Sequence, residues 1–265
     1  MDDLIDHNAL RRAAAEKKLG LDLIEKDYLL GWILKGISSC SISDKLVFKG
    51  GTALSKIYYP GDWRISEDLD FTVLDNSKID DLFSILREEL PSIVEDESGG
   101  IGLDFKGPLI HEDFLRVSIG FMGPITRHRT KIEVTKEKVL GDYRMIRMPI
   151  EYDYPDFSLL VYTLDNILAE KLRSLIERTK IRDYYDVWKL LGMNLVDKEL
   201  LRKRFYEKCR GKDIVFSGVS QFFPERLFET LEPHLEDLTR MSTEPLPKME
   251  VMLDDIKEKI NQIFR

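Results

Sequence analysis

The sequence predicts an α+β protein whose first part mixes strands with helices and whose C-terminal lobe is helical. Three observations carry this. Two apolar strands flank a glycine-broken helix between 45 and 74, three more strand-like segments follow between 101 and 135, and from 164 onward apolar residues recur mainly at helical spacing. With 265 residues, 43% of them hydrophobic, the chain can bury the core of one large domain or two small ones.

The stretch 48–73 organises the rest. Residues 45–48 read as a short strand, Gly50 and Gly51 break it, and 52–58 can form a helix that Pro60 and Gly61 end. A second strand, 69–74, follows. Residues two apart on a strand point the same way, so Asp68 and Asp70 present two carboxylates on one face while Leu69 and Phe71 point to the other. Paired carboxylates without a nearby His or Cys suit a hard cation such as Mg²⁺. The glycine break supplies the complementary part, because a helix start exposes N–H groups that favour phosphate and glycine lets a ligand approach closely. Ser55 could add a hydroxyl and Arg64 a fork of donors. Each piece alone has an ordinary reading, Gly-Gly as a turn and Asp-x-Asp as a solvated strand end. Their order between two apolar strands is what joins them.

Upstream, 9–18 and 21–37 read as helices separated at Gly20, and the broad apolar surface of the second (Leu23, Ile24, Leu29, Leu30, Trp32, Ile33, Leu34) calls for burial. Within it lies Glu25-Lys26-Asp27-Tyr28, ordinarily a solvated polar turn. Downstream, 78–90 reads as a helix stopped by Pro91, 95–100 as an acidic loop, and 101–106, 114–122 and 130–135 as strands. In the last of these Glu133 lies on the face opposite Ile132 and Val134, where a single acid ordinarily meets solvent. Seven permanent cations, Arg127, Arg129, Lys131, Lys136, Lys138, Arg144 and Arg147, surround Glu133. They could line a groove for an RNA or DNA backbone, or simply protect strand edges.

Residues 151–157 read as a linker and place a domain boundary there. Beyond it 164–175 forms a helical stripe of Leu164, Ile167, Leu168, Leu172 and Leu175, with Thr163 or Asp165 as its cap. Lys171 sits beside that stripe, either snorkelling to solvent or binding phosphate. Asp183 and Asp186, three apart, share a helix face, which capping and a salt bridge to Arg178 or Arg182 would explain. Further helices read over 198–208, 220–231 and 249–264.

Composition narrows the function. A net charge of −8 argues against a protein coated in basic surface for nucleic acid, though not against a local basic groove. Cys40 and Cys209 form neither a metal-site pattern nor a disulfide framework. With no apolar run approaching the roughly 20 residues of a membrane span, a reducing cytoplasm is the expected location.

The run Phe-Lys-Gly-Gly-Thr-Ala-Leu-Ser-Lys with Arg-Ile-Ser-Glu-Asp-Leu-Asp-Phe resembles the AbiEii/AbiGii toxin family of polymerase-beta-like nucleotidyltransferases. Glu-Lys-Asp-Tyr before it, and Ala-Glu-Lys-Leu and Arg-Asp-Tyr-Tyr-Asp-Val-Trp after it, resemble the family in the same order, so the likeness runs from 24 to about 190. It implies a core of mixed sheet flanked by helices over 1–157 and a helical domain over 158–265 that contributes Lys171 and Asp186. It further implies Mg²⁺ or Mn²⁺ on Asp68, Asp70 and Glu133, with an NTP bound by Gly50, Gly51, Ser55, Arg64, Ser66 and Lys171. Asp186, or Asp183 in its place, would orient Lys171 or the acceptor. The implied reaction transfers NMP to an acceptor, RNA and specifically tRNA, and releases pyrophosphate. The implied biology is that of the toxin of a toxin–antitoxin or abortive-infection system with an antitoxin encoded nearby. Two rivals remain at this level: a small-molecule acceptor such as an aminoglycoside antibiotic, and a nucleotide-binding regulator that has lost catalysis.

Overall fold

The computed structural model describes residues 5–264. Two helices, α1 (His7–Lys17) and α2 (Leu21–Ser39), precede strand β1 (Leu46–Lys49). The short helix α3 (Gly50–Ala53) continues as a π-helical turn, Leu54–Tyr58, and leads to β2 (Leu69–Val73) and α4 (Ile79–Ser98). Then come β3 (Leu103–His111), β4 (Phe114–Met122), β5 (Arg127–Thr135), β6 (Tyr143–Arg147) and β7 (Ser158–Tyr162). The remainder is helical: α5 (Leu164–Glu177), α6 (Ile181–Met193), α7 (Lys198–Gly211), α8 (Leu227–Leu231), α9 (Leu235–Met241) and α10 (Met249–Ile263), with short 3₁₀ turns between some of them.

The strands form one mixed sheet in the order β3-β4-β5-β2-β1-β7-β6. β2 lies antiparallel to β1 and parallel to β5, and β1 is parallel to β7. Leu69, Phe71 and Val73 are buried, as their alternation requires, and hold β2 in the core. α2 is buried on nearly all sides, as expected of a helix whose apolar residues circle it.

The chain folds into two compact units. One ends at Glu137 and resumes over Tyr143–Val161; the other takes Lys138–Asp142 and the chain from Tyr162 onward. The first unit holds the sheet, including β7, which lies beyond the linker read at 151–157. In the second unit Phe205, Phe216, Phe222 and Phe264 pack ring against ring, and α5, α6, α7 and α10 surround a common core. Its segment Lys138–Asp142 is tied to the start of α5, where Asn166 Nδ2 donates to the Asp142 carbonyl at 3.1 Å. Thr163 is the N-cap residue of α5 but makes no capping hydrogen bond through its side chain.

Three sequence expectations change. Pro91 does not stop its helix: α4 runs through it to Ser98 and absorbs most of the expected acidic loop. Leu82, Leu86, Leu90 and Val94 recur every fourth residue on one buried face, so the apolar stripe spans the proline and its packing offsets a helix-interior cost of about 3 kcal/mol. Gly36 of α2 allows this closeness, since a Cβ there would strike Val94 and Leu90. β6 and β7 go beyond the strands read from the sequence, being short segments beside a Tyr- and Pro-rich stretch, and 220–231 is a 3₁₀ turn, a loop and a short helix. Among the described residues no helix is long and apolar enough to cross a membrane. Leu90→Ala is expected to destabilise the protein by about 2–5 kcal/mol in urea unfolding, the cost of a cavity between α2 and α4.

Candidate active site

The site in the first unit starts from the glycine break. Gly50 has a φ of 78°, a left-handed conformation that glycine adopts without strain, and a Cβ there would collide with the Asp70 carboxylate. The first turn of α3 is therefore seated directly against Asp70. At Gly51 an added Cβ would stand 2.9 Å from both Arg64 Nη2 and Ser66 Oγ, so these two side chains line the other side of the break. Arg64 and Ser66 are buried at 2% and 7% exposure, which makes them part of a formed wall. Ser55 is buried too, but its hydroxyl donates within its own helix to the Thr52 carbonyl at 3.3 Å.

Sheet register arranges the carboxylates. Asp70 pairs with Lys49 on β1 and with Glu133 on β5, and Glu133 pairs in turn with Arg116 on β4. One row across the sheet thus reads Lys49, Asp70, Glu133, Arg116, with all four side chains on one face. Asp68 precedes Asp70 by two, on that same face, and both are half-buried. Glu133 accepts a hydrogen bond from Arg116 Nε at 2.7 Å, and Lys49 is ion-paired with Glu137. All three acids offer oxygen alone, the donor chemistry of a hard cation. Asp68 and Asp70 offer the oxygen donors such an ion takes, while Glu133 is turned to Arg116. Among the described residues no three acidic, His or Cys side chains are gathered as one metal-holding cluster.

Two threonines fix the backbone leading into β2. Thr52 Oγ1 donates to the Asp68 carbonyl and Thr130 Oγ1 to the Glu67 carbonyl, each at 2.5 Å. Behind them stands the triplet 25–27 of α2, which sequence reasoning left without chemistry. Glu25, fully buried, accepts from the backbone N–H groups of Ile125 and Thr126 and meets His128 Nε2 at 2.7 Å, securing the turn that opens β5. Lys26 Nζ binds Glu67 at 2.6 Å, one residue before Asp68. Asp27 pairs at 2.9 Å with the buried Lys56 of the turn that follows α3, and also accepts from Tyr152 Oη at 3.0 Å. Burial, then the charges of Asp27 and Glu151, push the Tyr152 phenol far above its ordinary range, so it stays a donor. The signal in the sequence is three consecutive charges inside an otherwise apolar helix. His128 is a partner of Glu25 and stacks on Phe121.

In the second unit Lys171 is buried. Its Nζ lies 2.8 Å from Asp183 Oδ1 and 2.8 Å from Asp186 Oδ2, so both acids that the sequence left as alternatives hold it. Arg178 Nε binds the other oxygen of Asp183 at 2.9 Å. Burial alone would raise the Asp183 carboxyl, but the charges and hydrogen bonds of Lys171 and Arg178 more than reverse this and keep it well below its ordinary 3.8.

Comparison with known proteins gives the family and the fold. A family model described as "Nucleotidyl transferase AbiEii toxin, Type IV TA system" matches residues 32–262. Among solved structures, MenT4, a nucleotidyltransferase toxin from Mycobacterium tuberculosis H37Rv, is similar at a TM-score of 0.74 and 18% identity, over 98% of this chain and 89% of that one. JHP933 from Helicobacter pylori is similar at a TM-score of 0.55 and 18% identity, over 92% and 93% of the two chains. At these identities the likeness concerns the fold. No curated protein sequence matches the chain significantly.

Two outcomes are expected. Gly50→Ala should lower nucleotidyl transfer by about 10²-fold, since the glycine break and Asp70 must separate to admit the methyl group; initial rates with labelled NTP check this. A carboxyl lowered on folding stabilises the folded chain above its unfolded pKa, and that contribution is lost as pH falls below 3.8 toward the folded value. Asp183→Asn should accordingly be about 3–5 kcal/mol less stable at pH 7, with the gap closing below about pH 4. Urea unfolding at stepped pH measures it, and parallel curves for the two proteins would contradict the assignment.

Proposed function

Because the chain belongs to the AbiEii nucleotidyl transferase toxin family of type IV toxin–antitoxin systems, we propose that it moves the NMP group of an NTP onto a hydroxyl of an RNA acceptor, tRNA included, and releases pyrophosphate. The single observation that carries the residue-level reading is the seating of the Gly50 break against the Asp70 carboxylate. Phosphate-facing backbone and cation-binding oxygen atoms are thereby adjacent, as transfer at an α-phosphate requires.

In this reading the triphosphate lies along Gly50 and Gly51, with Arg64 and Ser66 as donors and Ser55 supporting the helix behind them. Mg²⁺ or Mn²⁺ would be held by Asp68 and Asp70, with Glu133 joining once Arg116 turns away, and would supply charge neutralisation at the phosphates. The acceptor oxygen forms its bond to the α-phosphorus as the bridge to the β-phosphate breaks, and its proton passes to a carboxylate oxygen, for which Glu133 is proposed. In the second unit, Lys171 is proposed to neutralise phosphate charge, held in position by Asp183 and Asp186. The family's biology implies a cognate antitoxin, and MenT4, similar in fold, is itself a nucleotidyltransferase toxin.

The double substitution Asp68→Ala with Asp70→Ala is expected to abolish label transfer from α-³²P NTPs to an RNA pool while thermal melting stays cooperative. Undiminished labelling by that variant rejects the mechanism. Running an aminoglycoside pool in parallel separates an RNA acceptor from a small one.

A further inference from the structure

The seven cations near Glu133 do not act as one patch. Lys138 is paired with Asp213 and Arg147 with Asp156, while Arg116, outside this set, is paired with Glu133 itself. Arg127, Arg129 and Lys131 stand together on β5: all three are exposed, and none has an ion-pair partner among the described residues. They alternate along β5 with His128, Thr130 and Ile132, which point into the opposite, packed face. The next residue in their row is Glu133, beside Asp70. Across the sheet Lys131 pairs with Ser118 and Arg129 with Gly120 of β4, neither carrying a charge, and the first carboxylate in that direction, Asp104 of β3 opposite Gly120, is itself paired with Lys106 at 2.7 Å.

From this geometry we infer that Arg127, Arg129 and Lys131 form a phosphate track for the acceptor strand, leading an RNA backbone along β5 so that its hydroxyl end meets the Asp70–Glu133 pair. Same-face residues of a strand stand about 6.5–7 Å apart, so each cation can serve a separate phosphate of one extended strand. Gly120 leaves the neighbouring position bare, and Phe114, with the Arg116 guanidinium 5.3 Å from its ring centre, gives a stacking surface on the same face. A chain of net charge −8 repels polyanions as a whole, so three unneutralised cations in one file beside the acids form a local exception that fits a polyanion. The track rests on the RNA-acceptor reading and adds to it the direction and footprint of the strand.

The test uses the full chain and the triple variant R127A/R129A/K131A. Binding of a fluorescein-labelled, mixed-sequence single-stranded oligoribonucleotide is followed by anisotropy across a salt series, alongside transfer kinetics on the RNA pool. Loss of three contacts should reduce the slope of log K against log salt by about 2 and raise the KM for RNA, with the KM for NTP and the melting temperature unchanged. If the wild type labels RNA and the variant does so with the same RNA KM and salt slope, the track is overturned while the acceptor reading stands. If the wild type labels only a small-molecule pool, the acceptor reading itself fails and takes the track with it. Unchanged RNA binding by the variant together with lost binding to phosphatidylserine vesicles would assign the strip to a lipid surface and likewise overturn it.

Discussion

Three consecutive charges on a buried helix impose the constraint on which the candidate site depends. Glu25, Lys26 and Asp27 reach respectively the turn before β5, the residue before Asp68 and the turn after α3. The elements bearing Glu133, Asp68 and Gly50 are thus referred to one rigid support. Lys56 and Asp27 are buried at 0% and 4% exposure, so breaking their pair would leave an uncompensated charge, at a cost of about 3–5 kcal/mol. That penalty ties the helix after the glycine break to α2 more tightly than apolar packing alone, which tolerates sliding.

The sheet performs the second alignment. β2 receives α3 from one neighbour and faces Glu133 on the other, because it runs antiparallel to β1 and parallel to β5. Antiparallel pairing with β1 lets the chain leave Lys49, turn through the glycines and return beside its own starting point, so the break ends up over Asp70. Parallel pairing with β5 needs a long crossover, and α4, β3 and β4 supply it. The chain between the two parallel strands therefore also builds the open sheet surface beside the acids.

In the second unit the same physics serves a different end. Lys171 lies between two carboxylates, and Asp183 in turn is shared with Arg178. Two buried acids hold the buried ammonium in place, and the half-exposed Arg178 balances the second carboxylate from the rim.

Much of this was legible from residue order. Asp68 and Asp70 share a face by period-two alternation, Gly50 and Gly51 break the strand before them, and the α5 stripe follows from helical spacing, all of them local consequences of neighbouring residues. What lay out of reach depended on distant partners. Pro91 reads as a stop until the continuous burial of Leu90 and Val94 against α2 is known, and Glu25 reads as solvated until Ile125 and Thr126 are seen to donate to it. The choice between Asp183 and Asp186 dissolved because a helix face brings both within 2.8 Å of Lys171. Residue order by itself determined which side chains are candidates for the chemistry; tertiary structure decided which partners hold each of them, since ion pairing depends on separations in space that sequence distance does not encode.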